Sequence, residues 1–238
     1  MSSEADSQDS ADAQRSPTRT RRRRATGPYA AADARREAIA EAATACFAQS
    51  GYLSSSLAKI AADAGTSATV VVHHFGSKER LLMAVLLRHE SHTARRLLEL
   101  REQGRLNSLR ALLDSALEQT AYNLAHPGRL QLFVRLSAEA GDPEHPAHDY
   151  FVQRYRDAVE LLAQALRAAI AAGEVRPGTD PEQVAKELMA ISDGLQVQWA
   201  LDQERFDLPG SILGYYDRLS RAVSVSGAGL TSTAPQRN

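Results

Sequence analysis

Apolar residues recur at every third or fourth position along most of this chain, and stretches in which apolar and polar residues alternate are almost absent. A spacing of three to four marks the buried stripe of an α-helix, whereas the faces of a β-strand alternate with a period of two. Glycines interrupt the stripes at Gly51, Gly65, Gly104 and Gly173, where helices are expected to end. The pattern therefore predicts an all-α fold.

Two short apolar stripes flank Gly65 between residues 56 and 75. Ser67, just behind the glycine, can cap a second helix that runs from Ala68 to about His74. Val71 and Phe75 lie four positions apart in that helix and should face inward. Such a helix–turn–helix is the outline of many DNA-binding proteins. Four residues would then lie on the outer face and meet the DNA: Ala68, Thr69, Val72 and His73.

Residues 36–85 resemble the amino-terminal domain of the tetracycline-repressor (TetR) family of transcriptional regulators. The resemblance covers about fifty residues without a gap, which makes it far more specific than a bare helix–turn–helix pattern. It rests on Ile39, Ala43, Phe47, Gly51, Tyr52, Ile60, Ala61, Gly65, Ser67, the run from His74 to Glu79, and Leu81. It implies a sequence-specific DNA-binding regulator, most often a homodimeric repressor that a small-molecule effector releases from a palindromic operator.

The candidate phosphate contacts combine positive charge with the free amide groups at helix starts. Family members commonly touch phosphate at the position of Ser56, so Ser56 and Lys59 are expected backbone contacts. Lys78, directly behind Ser77, is the strongest single candidate. His74 is expected to be packed or to face phosphate, whereas His73 can reach a base edge or a phosphate.

One position departs from the family pattern. The family usually has a tyrosine that contacts phosphate where this chain has Val72, which cannot donate a hydrogen bond. Thr69 is then the main polar candidate for base recognition, and DNA shape or a flexible arm should carry a larger share of the specificity.

The resemblance also divides the chain. Residues 1–32 are expected to form a disordered tail that changes from acidic to basic and ends in the run Arg21, Arg22, Arg23 and Arg24, which is either a DNA-binding arm or a solubilising tail. Residues 33–80, opening with a helix from Asp33 to Gln49, would form the DNA-binding domain. Residues 81–226 would form a helical effector-binding and dimerisation domain, and residues 227–238 a flexible tail.

The carboxy-terminal assignments are less specific. Residues 180–206 resemble the carboxy-terminal domain of one large subset of the family, whose members pair their last two helices into a dimer. Candidate interface residues, each of which could equally be intrachain core, are Leu195, Trp199, Leu213 and Tyr216. Candidate effector-pocket residues, which are more simply read as core, are Tyr122, Phe133, Phe151, Tyr155, Met189 and Gln196.

The composition limits the classes of protein to which the chain can belong. With 43% hydrophobic and 24% charged residues and a net charge of −1, the chain can build a core but is not basic overall. It has neither a run of about 20 apolar residues nor a secretion signal, so we expect a cytoplasmic protein without a membrane partner. The single cysteine, Cys46, sits in an apolar stripe and should be a buried small hydrophobe.

No pattern points to catalysis. The sequence lacks a glycine-rich phosphate loop, a Cys-x-x-Cys pair, a His-Glu-x-x-His motif and a nucleophile with a recognisable base, so neither an enzyme nor a cofactor is expected. His145 and His148, with Glu144 and Asp149, are too loosely spaced to predict a metal site. The remaining alternative to a ligand-responsive regulator is an architectural DNA-binding protein without an effector.

Overall fold

The computed structural model describes residues 28–104 and 108–230. Within these ranges the regular structure consists of nine α-helices, and the β-type contacts amount to one isolated bridge between Val175 and Ser224. The all-α prediction is confirmed. The helices are α1 (Pro28–Ser50), α2 (Leu57–Asp63), α3 (Ala68–Phe75), α4 (Lys78–Glu102), α5 (Leu109–Leu124), α6 (Pro127–Glu139), α7 (His148–Ala171), α8 (Pro181–Leu201) and α9 (Leu208–Val223).

The first helix is longer than predicted. It begins at Pro28 instead of Asp33, so residues 28–32 belong to α1 and not to the tail predicted to end at residue 32. Proline is tolerated at the first helical position because its missing N–H group would have no partner there, and the alanines that follow favour the helix. The rest of the predicted tail, including Arg21 to Arg24, lies outside the described residues.

Serine caps fix the two short helices. The Ser56 hydroxyl accepts a hydrogen bond from the amide of Lys59 at 3.2 Å, and the Ser67 hydroxyl accepts one from the amide of Val70 at 3.4 Å. Both serines have the extended backbone of a residue that precedes a helix. Gly65, with a φ of +63°, makes the turn between the helices. The predicted helix–turn–helix over residues 56–75 is therefore confirmed.

Two hydrophobic cores hold the molecule together. We call α1 to α3 with the first turns of α4 the head, and the remainder of α4 with α5 to α9 the body. The head core extends into α6 and α7 of the body through Leu132, Leu136 and Phe151, and α1 packs along α6. The second core joins α5, α7, α8 and α9. Fully buried side chains at the centre of the head core include Ile39, Phe47, Ile60, Val71 and Leu82.

The segment after α9 packs against the body. Leu230 is buried, and its carbonyl accepts a hydrogen bond from Arg110 at 3.0 Å. The carbonyl of Ala228 accepts another from the Ser220 hydroxyl at 2.9 Å. The prediction of a flexible tail from residue 227 is therefore wrong for residues 227–230, because a buried leucine and these hydrogen bonds hold them; residues 231–238 lie outside the described residues.

None of the helices within residues 28–104 and 108–230 combines the length and the apolar character that crossing a bilayer requires.

Candidate DNA interface and ligand cavity

The exposed face of α3 is set by its buried face. Val71 and Phe75 point into the head core, with 0% and 8% of their surface exposed. Thr69, Val72 and His73 are exposed on the opposite side, where they were predicted. This face offers one hydroxyl, one imidazole and one apolar side chain to a duplex.

Two residues of α3 that were predicted to contact DNA expose less of their surface. Ala68 is half-buried against the head core, so it presents little surface. His74 is also half-buried, and its carbonyl accepts a hydrogen bond from Arg36 at 2.8 Å. The guanidinium of Arg36 lies 4.5 Å from the centre of the Phe75 ring, so this cation covers the carboxy-terminal end of α3. Arg36 was not predicted as a site residue; its signal in the sequence is the basic pair at positions 35 and 36, early in α1.

Ser56 and Lys59, the residues at α2 that were predicted to contact phosphate, both have partners within the chain. The Ser56 hydroxyl is exposed but is already the cap of the helix. The ammonium of Lys59 forms an ion pair with Asp63 at 3.1 Å, and the hydrogen bond to that carboxylate raises the pKa of Lys59. A phosphate that approaches Lys59 would therefore meet a cation that is partly neutralised.

Lys78 is held at the amino-terminal end of α4. Its ammonium lies 4.2 Å from the centre of the Tyr52 ring, a cation–π contact. The Tyr52 hydroxyl donates to Glu79 at 3.0 Å, and burial together with this bond raises the pKa of Tyr52 to about 12. The Ser77 hydroxyl accepts from the amide of Arg80 at 3.2 Å. A fixed cation thus stands beside amide groups at a helix start, which is the geometry that favours an anion.

Tyr52 also joins the head to the body. Its amide donates to Glu139 of α6 at 2.8 Å, and its ring meets the edge of His145 with centroids 5.2 Å apart. His145 accepts a hydrogen bond from the amide of Ala147 through Nδ1, and burial lowers its pKa. Nδ1 of His148 lies 2.8 Å from the carbonyl of Ala140. Both histidines thus serve the fold of the loop, and no three potential metal ligands converge within residues 28–104 and 108–230.

A cavity of about 640 Å³ lies among the helices of the body. Its wall is formed by α5, α6, α7 and α8, with one residue each from α4 and α9. The structure brings all the residues proposed for an effector pocket to this one wall: Tyr122, Phe133, Phe151, Tyr155, Met189 and Gln196. The volume lies in the range of pockets that hold small molecules.

The cavity contains a half-buried acid–phenol pair. The Tyr155 hydroxyl donates to Asp193 at 2.7 Å. Burial raises the pKa of Asp193, while the bond from Tyr155 and the charge of Arg154 act in the opposite direction. Burial and the nearby carboxylate likewise raise the pKa of Tyr155. Tyr155 was predicted from the sequence, whereas Asp193 and Arg154 were not, because the pairing of Tyr155 with Asp193 across two helices has no local signal.

Arg129 connects the cavity wall with the head. Its guanidinium donates to the Tyr122 hydroxyl and, at 2.6 Å, to the carbonyl of His89 in α4. Nε2 of His89 lies 3.3 Å from the hydroxyl of Thr44 in α1. Burial, reinforced by the charge of Arg129, lowers the pKa of His89 to about 4. A continuous set of polar contacts therefore runs from the cavity to α1.

The candidate interface residues fall into two groups. Trp199 and Tyr216 are 7% and 2% exposed, so they belong to the core of their own chain and leave little surface for a partner. Leu195 and Leu213 are half-buried against the same core. Periodicity had placed them all on apolar stripes without deciding which stripe faces inward. The outward stripe of α8 instead carries Ala190, Gly194, Val197 and Leu201.

Two family models match the chain. Residues 39–85 match the model described as "Bacterial regulatory proteins, tetR family", and residues 106–207 match the one described as "Tetracyclin repressor-like, C-terminal domain". The first match covers the helix–turn–helix, and the second covers most of the cavity wall.

Individual relatives agree with these matches. The A-factor receptor protein of Streptomyces griseus is 27% identical over 192 residues, which cover 79% of this chain but only 63% of the receptor. The transcriptional regulator BetI of Rhizobium meliloti is 26% identical over 206 residues, covering 82% of this chain and 92% of BetI. Among solved structures, SmeT, the repressor of the Stenotrophomonas maltophilia multidrug efflux pump SmeDEF, is similar in fold, with a TM-score of 0.68, 24% identity and coverage of 85% and 96%. SmeT has also been solved in complex with triclosan, a structure that is 25% identical with a TM-score of 0.66 and coverage of 86% and 100%.

Proposed function

The chain belongs to the TetR family of DNA-binding transcriptional regulators, and on this premise we propose that it is a homodimeric repressor that a small-molecule effector releases from a palindromic operator. One observation carries the proposal. A single chain combines an exposed helix–turn–helix with a cavity of about 640 Å³, and α4 packs into the head core through Leu82 and reaches the cavity wall with Leu100. Action on DNA would place the protein in the cytoplasm.

The DNA-binding residues follow from the exposed surface. We propose that Thr69, Val72 and His73 enter the major groove while Lys78 and the amides at the start of α4 hold a phosphate. Ser56, Lys59 and His74 would lie at the edge of this contact, and the arginines at positions 21–24 would extend it along the DNA. The apolar face of Val72 suits the methyl group of a thymine.

A dimer supplies the second half-site. One head covers only a few base pairs, and paired heads usually read half-sites about 34–36 Å apart. We place the interface on the outward stripe of α8, defined above, together with Leu195 of α8 and Leu213 of α9. Val197 and Leu201 are 43% and 82% exposed in the single chain, and an apolar stripe of this kind favours pairing with a second copy.

An effector can act through α4. A ligand releases the DNA only if it binds more tightly to the conformation that does not fit the operator. A molecule that displaces Tyr122 would disturb Arg129, which holds the backbone of α4 at His89. Because α4 begins at Lys78, a shift of this helix would move the head. The named ligands of relatives, A-factor and triclosan, support an effector in the body without identifying one for this chain.

The decisive experiment is selection of bound fragments from random DNA with the full-length chain. The proposal expects a palindrome protected by two protomers, whereas an asymmetric or absent consensus would contradict it. A screen of metabolite mixtures against the selected duplex then separates the two regulator classes. Dissociation by some mixture supports an effector-released repressor, and complexes that never dissociate favour an architectural protein.

A further inference from the structure

Most hydroxyl groups of the cavity wall are already used. Ser115, Thr120 and Ser137 each donate to a carbonyl of the preceding turn of their own helix. Ser192 and Tyr216 are hydrogen-bonded to each other at 3.1 Å. The protons of Ser115, Thr120 and Ser137 are therefore committed, as is one of the two protons of the Ser192–Tyr216 pair.

Two other polar residues of the cavity wall, Arg154 and Gln196, have side-chain donors that are not used in this way. Across the part of the chain that the structure describes, neither side chain makes a hydrogen bond or an ion pair, and both line the cavity. The Arg154 guanidinium lies 4.9 Å from the centre of the Phe133 ring and 5.9 Å from that of Tyr155. A guanidinium carries five N–H donors and does not lose its charge in proteins. The cavity thus holds a cation, placed against aromatic rings, whose donors are available.

An acceptor stands beside these donors. Asp193 lies three residues before Gln196 in α8 and lines the same cavity. Its Oδ2 atom accepts the Tyr155 hydroxyl, but a carboxylate can accept about four hydrogen bonds. The charge of Arg154 stabilises the ionised form of Asp193 against the effect of burial. Three other charged residues line the cavity: Glu118 and Asp157 are exposed, and Arg129 is hydrogen-bonded to Tyr122 and to the His89 carbonyl. Arg154 and Asp193 are therefore the half-buried groups of opposite charge on this wall whose remaining donors and acceptors can meet a ligand.

We propose, resting on the proposed role of the cavity as the effector site, that it selects an amphipathic ligand whose polar end is uncharged and carries both a carbonyl oxygen and a hydrogen-bond donor. The carbonyl oxygen accepts from Arg154, and the donor binds Asp193. A cationic end would face Arg154 and an anionic end would face Asp193, so each would lose solvation without a matching gain. The hydrocarbon part lies against Leu112, Leu113, Leu130, Leu161 and Leu162.

Three probes with one chain length test this charge selection. Octanamide, octanoate and octylammonium differ at pH 7 mainly in the charge of the polar end. Isothermal titration of the full-length chain, without DNA, should give the tightest binding for octanamide, by about tenfold over either ion. Binding of an ion as tight as that of the amide would overturn the proposal, as would the absence of octanamide binding.

Substitutions should invert the selection. Arg154→Met leaves Asp193 as the sole charge of the pair, so the preference should move to octylammonium. Asp193→Asn leaves Arg154, so the preference should move to octanoate. Arg156→Met, an exposed arginine of the same helix, should leave the order unchanged. Equal loss of all three probes in both variants, with thermal unfolding unchanged, would show that the two side chains do not discriminate charge and would overturn the proposal. Arg154→Lys, which keeps the charge, should retain the octanamide preference and covers the case in which the methionine variant does not fold.

The titrations test the ligand class, and the DNA experiments test the effector response, so each can fail without the other. If octanamide binds in the stated order but does not release the selected duplex, the ligand class holds and the effector response fails. If an ion binds best and releases the duplex, the effector response holds and the ligand class is wrong.

Discussion

The head and the body of this regulator direct their polar groups in opposite ways. On the head, the side chains of Thr69 and His73 face outward, where ions and water compete for them. In the body, Asp193 and Arg129 face a cavity and are bonded to Tyr155 and Tyr122 across helices. The head therefore suits a polyanion, whose binding weakens as the salt concentration rises. The body suits a ligand whose polar groups match those of the cavity, because a buried polar group without a partner is costly.

The head should be more tightly packed than the cavity wall. Phe47 is fully buried in the head core, so Phe47→Ala should lower the free energy of unfolding by about 3–5 kcal/mol. Phe133 is half-buried beside a void that already exists, and Phe133→Ala should cost only about 1–2 kcal/mol. Urea unfolding of the two variants measures both values. A greater loss for Phe133→Ala would contradict the comparison.

The free energy of unfolding should depend on pH through His89, which lies between the head and the body. The pKa of His89 falls from 6.5 to about 4 in the fold, so between these values the unfolded chain binds a proton that the folded chain does not. Stability should therefore fall as the pH drops from 6.5 to 4, by about 3 kcal/mol at most, and His89 should add no slope above 6.5. His89→Gln should flatten this part of the profile in urea unfolding at stepped pH. An unchanged slope in this variant would show that His89 is not responsible.

Arg129 should transmit the effector signal. Arg129→Met removes the bonds to Tyr122 and to the His89 carbonyl, so an effector should release the operator with a coupling free energy reduced by about 1–2 kcal/mol. Affinity for the operator without effector should change less. Arg135→Met, an exposed arginine of the same helix, is the matched control. Anisotropy of a labelled operator, titrated with effector, gives the coupling, and equal coupling in both variants would reject this route.

Lys78 should contribute more to DNA affinity than Lys59. Lys78→Ala should weaken binding to all duplexes by about tenfold and reduce the salt slope by about one. Lys59→Ala should have a smaller effect because Asp63 already pairs with this ammonium. Affinities measured at stepped salt concentrations compare the two variants, and the opposite order would show that the phosphate is held at α2.

Thr69 should affect base preference and little else. Thr69→Ala should relax the selection at one or two base pairs, by about 1 kcal/mol each, since one hydroxyl and one methyl group are lost from the exposed face of α3. Repeating the random-DNA selection with the variant measures this change. A uniform loss of affinity with an unchanged consensus would show that Thr69 contacts phosphate instead.

The two regions also differ in how far the sequence predicts them. Ser67 and the spacing of Val71 and Phe75 are local signals, so they predicted the second helix of the helix–turn–helix together with its cap. Trp199 and Tyr216 are buried because their stripes of α8 and α9 pack against the other helices. The periodicity of the sequence does not decide which stripe of a helix packs inward. The pairing of Tyr155 with Asp193, 38 residues apart, likewise arises only when the helices pack.

Control of the DNA-reading head by a ligand in the body cavity is tested by the anisotropy of the selected duplex, titrated with the full-length protein at low and at moderate salt. We expect salt-dependent binding of two protomers per palindrome, reversed by an effector that occupies the cavity. Failure to bind any duplex at low salt, or binding that no cavity ligand alters, would contradict this expectation.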